Sequence, residues 1–139
     1  MGYIEALNKA REAELCIRAD MEHIERLHRI MRTPCKSQRY AESIVYRLVN
    51  LEAELNREID RAVDIKREAL CILSSLEGSE RAVLYRYYIL GESWKEVSKK
   101  MYISERQTYY YRKAALKRID EKYSKNRREL WNSEKELRN

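Results

Sequence analysis

The chain has 139 residues, enough for one domain or two small ones. Charged residues make up 37% of it, and it contains three glycines and one proline, a composition that favours long helices over strands and turns. No stretch reaches the apolar length of a membrane span, and no secretory signal is recognisable. We therefore expect an all-α protein without a membrane partner.

The first half has the apolar spacing of two long helices. Between residues 3 and 31, apolar side chains recur every three or four positions, which predicts a helix with a coiled-coil-like seam. Thr33–Pro34, within the break at 32–37, marks a turn, because a proline disfavours the helical conformation of the residue before it. The helical spacing resumes from about 38 to 76.

These two helices are predicted to form an antiparallel hairpin. If the chain folds back at the proline, positions whose numbers add up to about 69 face each other, and the apolar rows coincide along the whole length. In this register Ile24 lies near Ile44 or Val45. Leu7 lies near Ala62 or Val63.

Some apolar residues of the hairpin fall outside this seam, namely Ile30, Val49 and Ile65. Two helices alone cannot cover both of their apolar stripes. A second hairpin from another copy would bury the remainder in a four-helix core, so we expect a homodimer through residues 1–76. The alternative is a monomer whose hairpin packs on its own C-terminal half.

A break at 77–79 ends the second long helix, and Ser79 is a candidate N-cap for the next one. The candidate buried residues of that helix are Val83, Leu84, Tyr87 and Tyr88. It would end near Gly91, where a helix terminus favours a residue that is free to be left-handed. We interpret Trp94, in the first turn of the following helix, as a packing anchor between helices.

Residues 93–119 carry two helix starts. Ser93 is followed three residues later by Glu96, and Ser104 by Gln107. Each pair forms a capping box, in which the serine oxygen accepts an early helical N–H. The spacing predicts a helix over 94–101, a turn over 102–104 and a second helix, which together make a helix-turn-helix. Its buried side would comprise Val97, Met101, Ile103, Thr108, Tyr111, Ala115 and Ile119.

The second helix of this pair presents basic and aromatic residues outward. A recognition helix reads base edges in the DNA major groove with its N-terminal half. The candidate base-reading residues are Glu105, Arg106, Tyr109, Tyr110 and Lys113. The candidate phosphate contacts are Lys95, Lys99, Arg112 and Lys117.

The distribution of charge agrees with this interpretation. Residues 1–78 carry 13 Lys and Arg against 14 Asp and Glu, whereas residues 79–139 carry 16 against 9. The net excess of +7 coincides with the helix-turn-helix pattern, where a polyanionic partner requires it. Double-stranded DNA is therefore the expected partner. The alternative is an ordinary helical pair whose basic face is merely solvated.

Residues 79–119, SERAVLYRYYILGESWKEVSKKMYISERQTYYYRKAALKRI, resemble region 4 of bacterial sigma factors. They resemble more closely the short phage-encoded regulators of the RinA and ArpU type, in which a long helical half with a central Thr-Pro precedes such a domain. The resemblance implies a role in transcription at promoters, including contact with RNA polymerase. This sequence departs from the usual motif at Ser98, where alanine is common, and at Tyr102, where glycine is common.

We therefore divide the chain into a helical hairpin (1–76), a helix-turn-helix domain (77–119) and a charged helical tail (120–139). Three cysteines without paired or metal-binding spacing, Cys16, Cys35 and Cys71, indicate reduced thiols and a cytoplasmic protein. We expect no metal, no cofactor and no enzymatic activity, because no phosphate loop, metal constellation or nucleophile–base pair is apparent. Two other functions stay open: a phage DNA-packaging protein like a small terminase subunit, and a protein-interaction module of the antisigma or adaptor kind.

Overall fold

The computed structural model describes the backbone of residues 2–34 and 37–138, and their side chains apart from those of 125–131, 133, 134 and 136–138. The described residues contain no strand, which confirms the all-α prediction. Every helix among them is too short or too polar to cross a membrane. The five helices are α1 (Tyr3–Arg32), α2 (Gln38–Leu73), α3 (Gly78–Tyr88), α4 (Trp94–Lys100) and α5 (Glu105–Arg138).

The chain divides into two compact units, Met1–Glu68 and Ala69–Asn139. The last part of α2 belongs to the second unit, whereas the sequence analysis ended the hairpin at 76. Helix α5 continues without interruption past position 119 to Arg138, so the charged tail belongs to the same helix as the base-reading candidates. The functional assignment of the three predicted segments stays a prediction.

Within the first unit, α1 and α2 pack as an antiparallel hairpin, as predicted. Its core near the turn consists of Leu27, Ile44 and Leu48, with Ile24, Ile30 and Leu51 packed against them. Two polar pairs join the helices farther along. His28 Nε2 lies 3.6 Å from Glu52 Oε1, and Lys66 forms an ion pair with Glu14.

The predicted register of the hairpin is wrong, because His28 pairs with Glu52 and not with residues near position 41. Ala62 shares the lining of a small cavity with Ala13 and Cys16, so it lies beside the middle of α1 rather than opposite Leu7. The prediction assumed a symmetric reversal at the proline. Helix α2 is instead displaced along α1, since Lys66 pairs with Glu14 and Ala62 lies beside Ala13 and Cys16.

Two carboxyl groups face each other across the hairpin. A hydrogen bond with Asp20 raises the pKa of Glu58 above its ordinary value of 4.5, and burial and the negative charges of Asp20 and Glu54 act in the same direction. Arg61 opposes the shift without cancelling it. The ionised form of Glu58 therefore destabilises the hairpin.

The structure describes two of the three cysteines. Cys16 and Cys71 are free and lie at exposed positions on α1 and α2. Cys35 lies outside the described residues. The two described cysteines therefore do not form a disulfide with each other.

In the second unit, α5 packs against both α3 and α4. The fully buried core residues of α3, α4 and α5 are Val83, Leu84, Val97, Thr108, Ala115 and Ile119. Met101, Ile103 and Tyr111, which were also predicted to be buried, are half-buried. The side of α5 that packs inward is therefore the one predicted from its helical spacing.

Glycines define both ends of α3. Gly91 has φ +74°, which confirms the predicted left-handed residue after the helix. The predicted N-cap at Ser79 is wrong, because Glu77 occupies the N-cap position and α3 begins at Gly78. Gly78 adopts φ +60°, a conformation open to glycine, and this lets the chain enter the helix before the serine.

Candidate nucleic-acid interface

Both predicted helix starts of the helix-turn-helix are present. The Ser93 Oγ accepts the Glu96 N–H at 3.2 Å, and its hydroxyl donates to the Glu96 carboxylate at 3.2 Å. The Ser104 Oγ accepts the Gln107 N–H at 3.0 Å. These caps fix the first residues of α4 and α5, so the positions of the residues that follow Ser104 are set by local hydrogen bonds.

The two departures from the usual motif leave the turn between α4 and α5 intact. Ser98 is buried, and its hydroxyl donates to the Lys95 carbonyl at 2.8 Å, so its polar group is satisfied within α4. Tyr102 adopts φ 56°, the left-handed conformation that glycine usually supplies. A residue with a Cβ pays about 1–2 kcal/mol for this conformation. The turn is therefore strained rather than remodelled.

An aromatic stack ties together the three helices of the unit. The Trp94 ring lies parallel to that of Tyr87 at a centroid distance of 3.8 Å, and the Arg112 guanidinium carbon lies 4.7 Å from the Trp94 centroid. Because these residues come from α4, α3 and α5, the stack fixes the two helices of the motif on α3. This confirms Trp94 as a packing anchor.

Two cations contact a buried carboxylate in the connection between α3 and α4, an arrangement that the sequence did not predict. The Glu92 side chain is 2% exposed. The Arg86 Nη1 donates to both of its carboxylate oxygens, at 3.0 and 3.4 Å, and the Lys100 Nζ lies 3.5 Å from one of them. Glu92 lies between α3 and α4 and in neither helix, so helical spacing in the sequence could not pair it with Arg86 or Lys100.

The five candidate base-reading residues lie together on one exposed side of α5. Each of Glu105, Arg106, Tyr109, Tyr110 and Lys113 is exposed. The Arg106 Nη2 donates to the Tyr110 hydroxyl at 3.3 Å, and the Tyr109 and Tyr110 rings meet edge to face at 6.1 Å. The surface presents donors, acceptors and aromatic rings within two helical turns.

The candidate phosphate contacts differ in their exposure to solvent. Lys95, Lys99 and Lys117 are exposed, whereas Arg112 is half-buried because its guanidinium stacks on Trp94. A cleft of about 460 Å³ brings members of both candidate sets together. Its lining consists of Trp94, Lys95, Glu105, Thr108, Tyr109 and Arg112.

Comparison with protein-family models, with characterised proteins and with solved structures finds no match to this chain. The functional interpretation therefore depends on two observations. They are the capped helix pair and the exposed basic and aromatic side of α5.

Proposed function

We propose that the chain is a sequence-specific DNA-binding transcription regulator of the phage type, related in its mode of action to region 4 of sigma factors. The observation that carries the proposal is a row of exposed side chains on α5, which begins directly after a capped helix start. The row consists of Glu105, Arg106, Tyr109, Tyr110 and Lys113. An α-helix with its side chains is about 10–12 Å wide, and the major groove of B-DNA is about 12 Å wide. The N-terminal half of α5 enters that groove.

Arg106 reads guanine in this proposal. Its guanidinium matches the O6 and N7 acceptors of guanine in a bidentate arrangement. The hydrogen bond to Tyr110 already restricts the side chain before DNA arrives, which lowers the entropy lost on binding. Glu105 accepts from a cytosine amino group, and Tyr109 and Lys113 complete the row.

The exposed lysines position the helix without reading sequence. Lys95 and Lys99 on α4 and Lys117 on α5 contact phosphates, and such contacts set the register of a protein on the duplex. Arg112 joins them from its stacked position on Trp94. A planar guanidinium keeps its N–H edge free while its face stacks on a ring, so Arg112 can serve both roles.

The hairpin supplies a dimer interface in this proposal. Val45, Val49 and Val63 are 45%, 60% and 51% exposed on α2, and the first and last of them lie about five helical turns apart on the same side of the helix. A groove of about 590 Å³ beside this helix includes Met21 and Leu55, and its lining carries charges of both signs. A second copy related by a twofold axis would cover these residues.

The homodimer would present two recognition helices to one duplex, and cysteines without paired spacing favour the cytoplasm as its location. Action at a promoter rests on the resemblance of residues 79–119 to sigma region 4 alone. Contact with RNA polymerase is the further step that this similarity implies.

Two substitutions on α5 separate base reading from phosphate contact. Arg106→Ala should weaken binding to the preferred site by about 1–3 kcal/mol and relax the preference at one base position. Lys117→Ala should weaken binding to all sequences similarly and lower the slope of log K against log salt by about one unit. Fluorescence anisotropy on preferred and scrambled duplexes at several salt concentrations measures both effects.

Arg47→Ala is the matched control, because Arg47 is exposed on α2 of the hairpin. It removes the same charge and should leave the preference for the selected site unchanged. If Arg106→Ala and Lys117→Ala weaken DNA binding equally on preferred and scrambled duplexes, Arg106 contacts phosphate and does not read a base. Unchanged binding in both variants would remove α5 from the DNA interface.

A further inference from the structure

Tyr102 combines two properties that conflict in an ordinary turn residue. Its backbone is left-handed, with φ 56°, although glycine adopts this conformation at no steric cost. Its side chain is 95% exposed, compared with 55% for Tyr109 and 50% for Tyr110. The ring therefore gains almost no packing that could offset the strain of the backbone.

Such strain is commonly associated with function when local packing does not explain it. The Tyr102 N–H bonds to the Lys99 carbonyl at 3.3 Å, and the Ile103 N–H bonds to the Ser98 carbonyl at 3.1 Å. These bonds are made by the backbone, so the turn does not require a tyrosine ring. An exposed phenol suits an intermolecular contact, since its ring is apolar and its hydroxyl is polar.

The position of Tyr102 indicates the kind of partner. It lies three residues before Glu105, the first residue of α5, so the two Cα atoms are at most about 11 Å apart. Where the N-terminal half of α5 occupies the major groove, the turn that precedes it lies near the edge of the groove. The sugar–phosphate backbone runs along that edge, and Lys99 is exposed beside the turn.

We propose that Tyr102 is a contact to the DNA backbone, in which its phenol donates a hydrogen bond to a phosphate oxygen and its ring packs against the adjoining deoxyribose. The contact limits how deeply α5 enters the groove, and it adds a backbone contact to those made by the base-reading residues of that helix. This inference rests on the proposed DNA-binding function. A contact of Tyr102 with another protein is the competing possibility.

Three variants of the full chain test it. Tyr102→Gly removes the ring and the strain, and Tyr102→Phe removes the hydroxyl alone. Tyr46→Phe is the control, because Tyr46 is 71% exposed on α2 of the hairpin. Each variant is measured by urea unfolding and by fluorescence anisotropy with a labelled mixed-sequence duplex of about three helical turns.

Tyr102→Gly should unfold at the same or a higher urea concentration than the wild type and yet bind DNA about threefold to tenfold more weakly. Tyr102→Phe should show part of this loss, and Tyr46→Phe none. The salt dependence of binding should be unchanged in all three, because a neutral phenol releases no counterion.

Two results would overturn the inference while leaving the proposed function intact. If Tyr102→Gly binds DNA with the same affinity as the wild type, the ring contacts another partner or none. Easier unfolding of Tyr102→Gly would show that the ring stabilises the fold. If the wild type itself binds no duplex at low salt, the proposed function fails, and the contact of Tyr102 with DNA fails with it.

Discussion

Replacing Arg86 should destabilise the second unit more than replacing either other member of its ion cluster. The reason is the unequal burial of the three groups. The Glu92 side chain is 2% exposed, whereas those of Arg86 and Lys100 are 34% and 57% exposed. Losing Arg86 removes the closer cation from a buried carboxylate, but losing the carboxylate leaves two cations that water can reach.

The magnitudes follow from these exposures. Removing one partner of a buried pair costs about 3–5 kcal/mol, and Arg86→Met should cost about 3 kcal/mol because Lys100 still attracts Glu92. Lys100→Met should cost about 0–1 kcal/mol, as expected for an exposed partner. Glu92→Gln removes the buried charge and keeps its shape, so it should cost about 1–2 kcal/mol.

Urea unfolding followed by tryptophan fluorescence measures these costs, because both tryptophans, Trp94 and Trp131, belong to the second unit. The double variant Arg86→Met/Glu92→Gln provides a stricter comparison. It should be more stable than Arg86→Met alone, since it no longer buries a charge that has lost its stronger cationic partner. Equal costs for Arg86→Met and Lys100→Met, or no recovery in the double variant, would refute the reasoning.

Three further predictions concern the hairpin and the second cap. Because the pKa of Glu58 is raised by Asp20, the favourable contribution of the protonated group is present at low pH and is lost as pH rises through its folded pKa. Glu58→Gln should therefore raise the melting temperature, followed by circular dichroism, at about pH 7 more than at about pH 4; equal shifts would contradict this. Val49→Asp should reduce the solution mass by light scattering from two chains to one, whereas the matched Asn50→Asp should not. Ser104→Ala should cost about 1 kcal/mol in urea unfolding, because it removes a helix cap, and an unchanged midpoint would exclude the cap as a stabilising contact.

Features determined by neighbouring residues could be predicted from the sequence. The caps at Ser93 and Ser104 each involve a residue three positions later, so the starts of α4 and α5 followed from residue type and spacing. The outward row on α5 followed in the same way from helical periodicity. The left-handed Gly91 is also a local property, since it depends on the end of α3.

Features that join distant parts of the chain could not be predicted. The hairpin register depends on contacts between residues that are far apart in the chain, such as Lys66 with Glu14, and a proline indicates a break without fixing the register. Glu92 meets Arg86 and Lys100 because the loop after α3 folds its carboxylate inward. In the sequence, nothing distinguishes Glu92 from the other acidic residues, although it directly precedes the N-cap Ser93. For Tyr102, the motif indicated a conflict between residue type and φ, but the structure was needed to show that the strain is retained.

The most direct test of the central claim is selection of DNA by the full chain from a library of random-sequence duplexes, followed by sequencing. If α5 reads bases in a homodimer, the selected pool should converge on two half-sites related by twofold symmetry, each with a guanine that the Arg106→Ala protein no longer selects. A pool that stays indistinguishable from the starting library would contradict sequence-specific DNA binding.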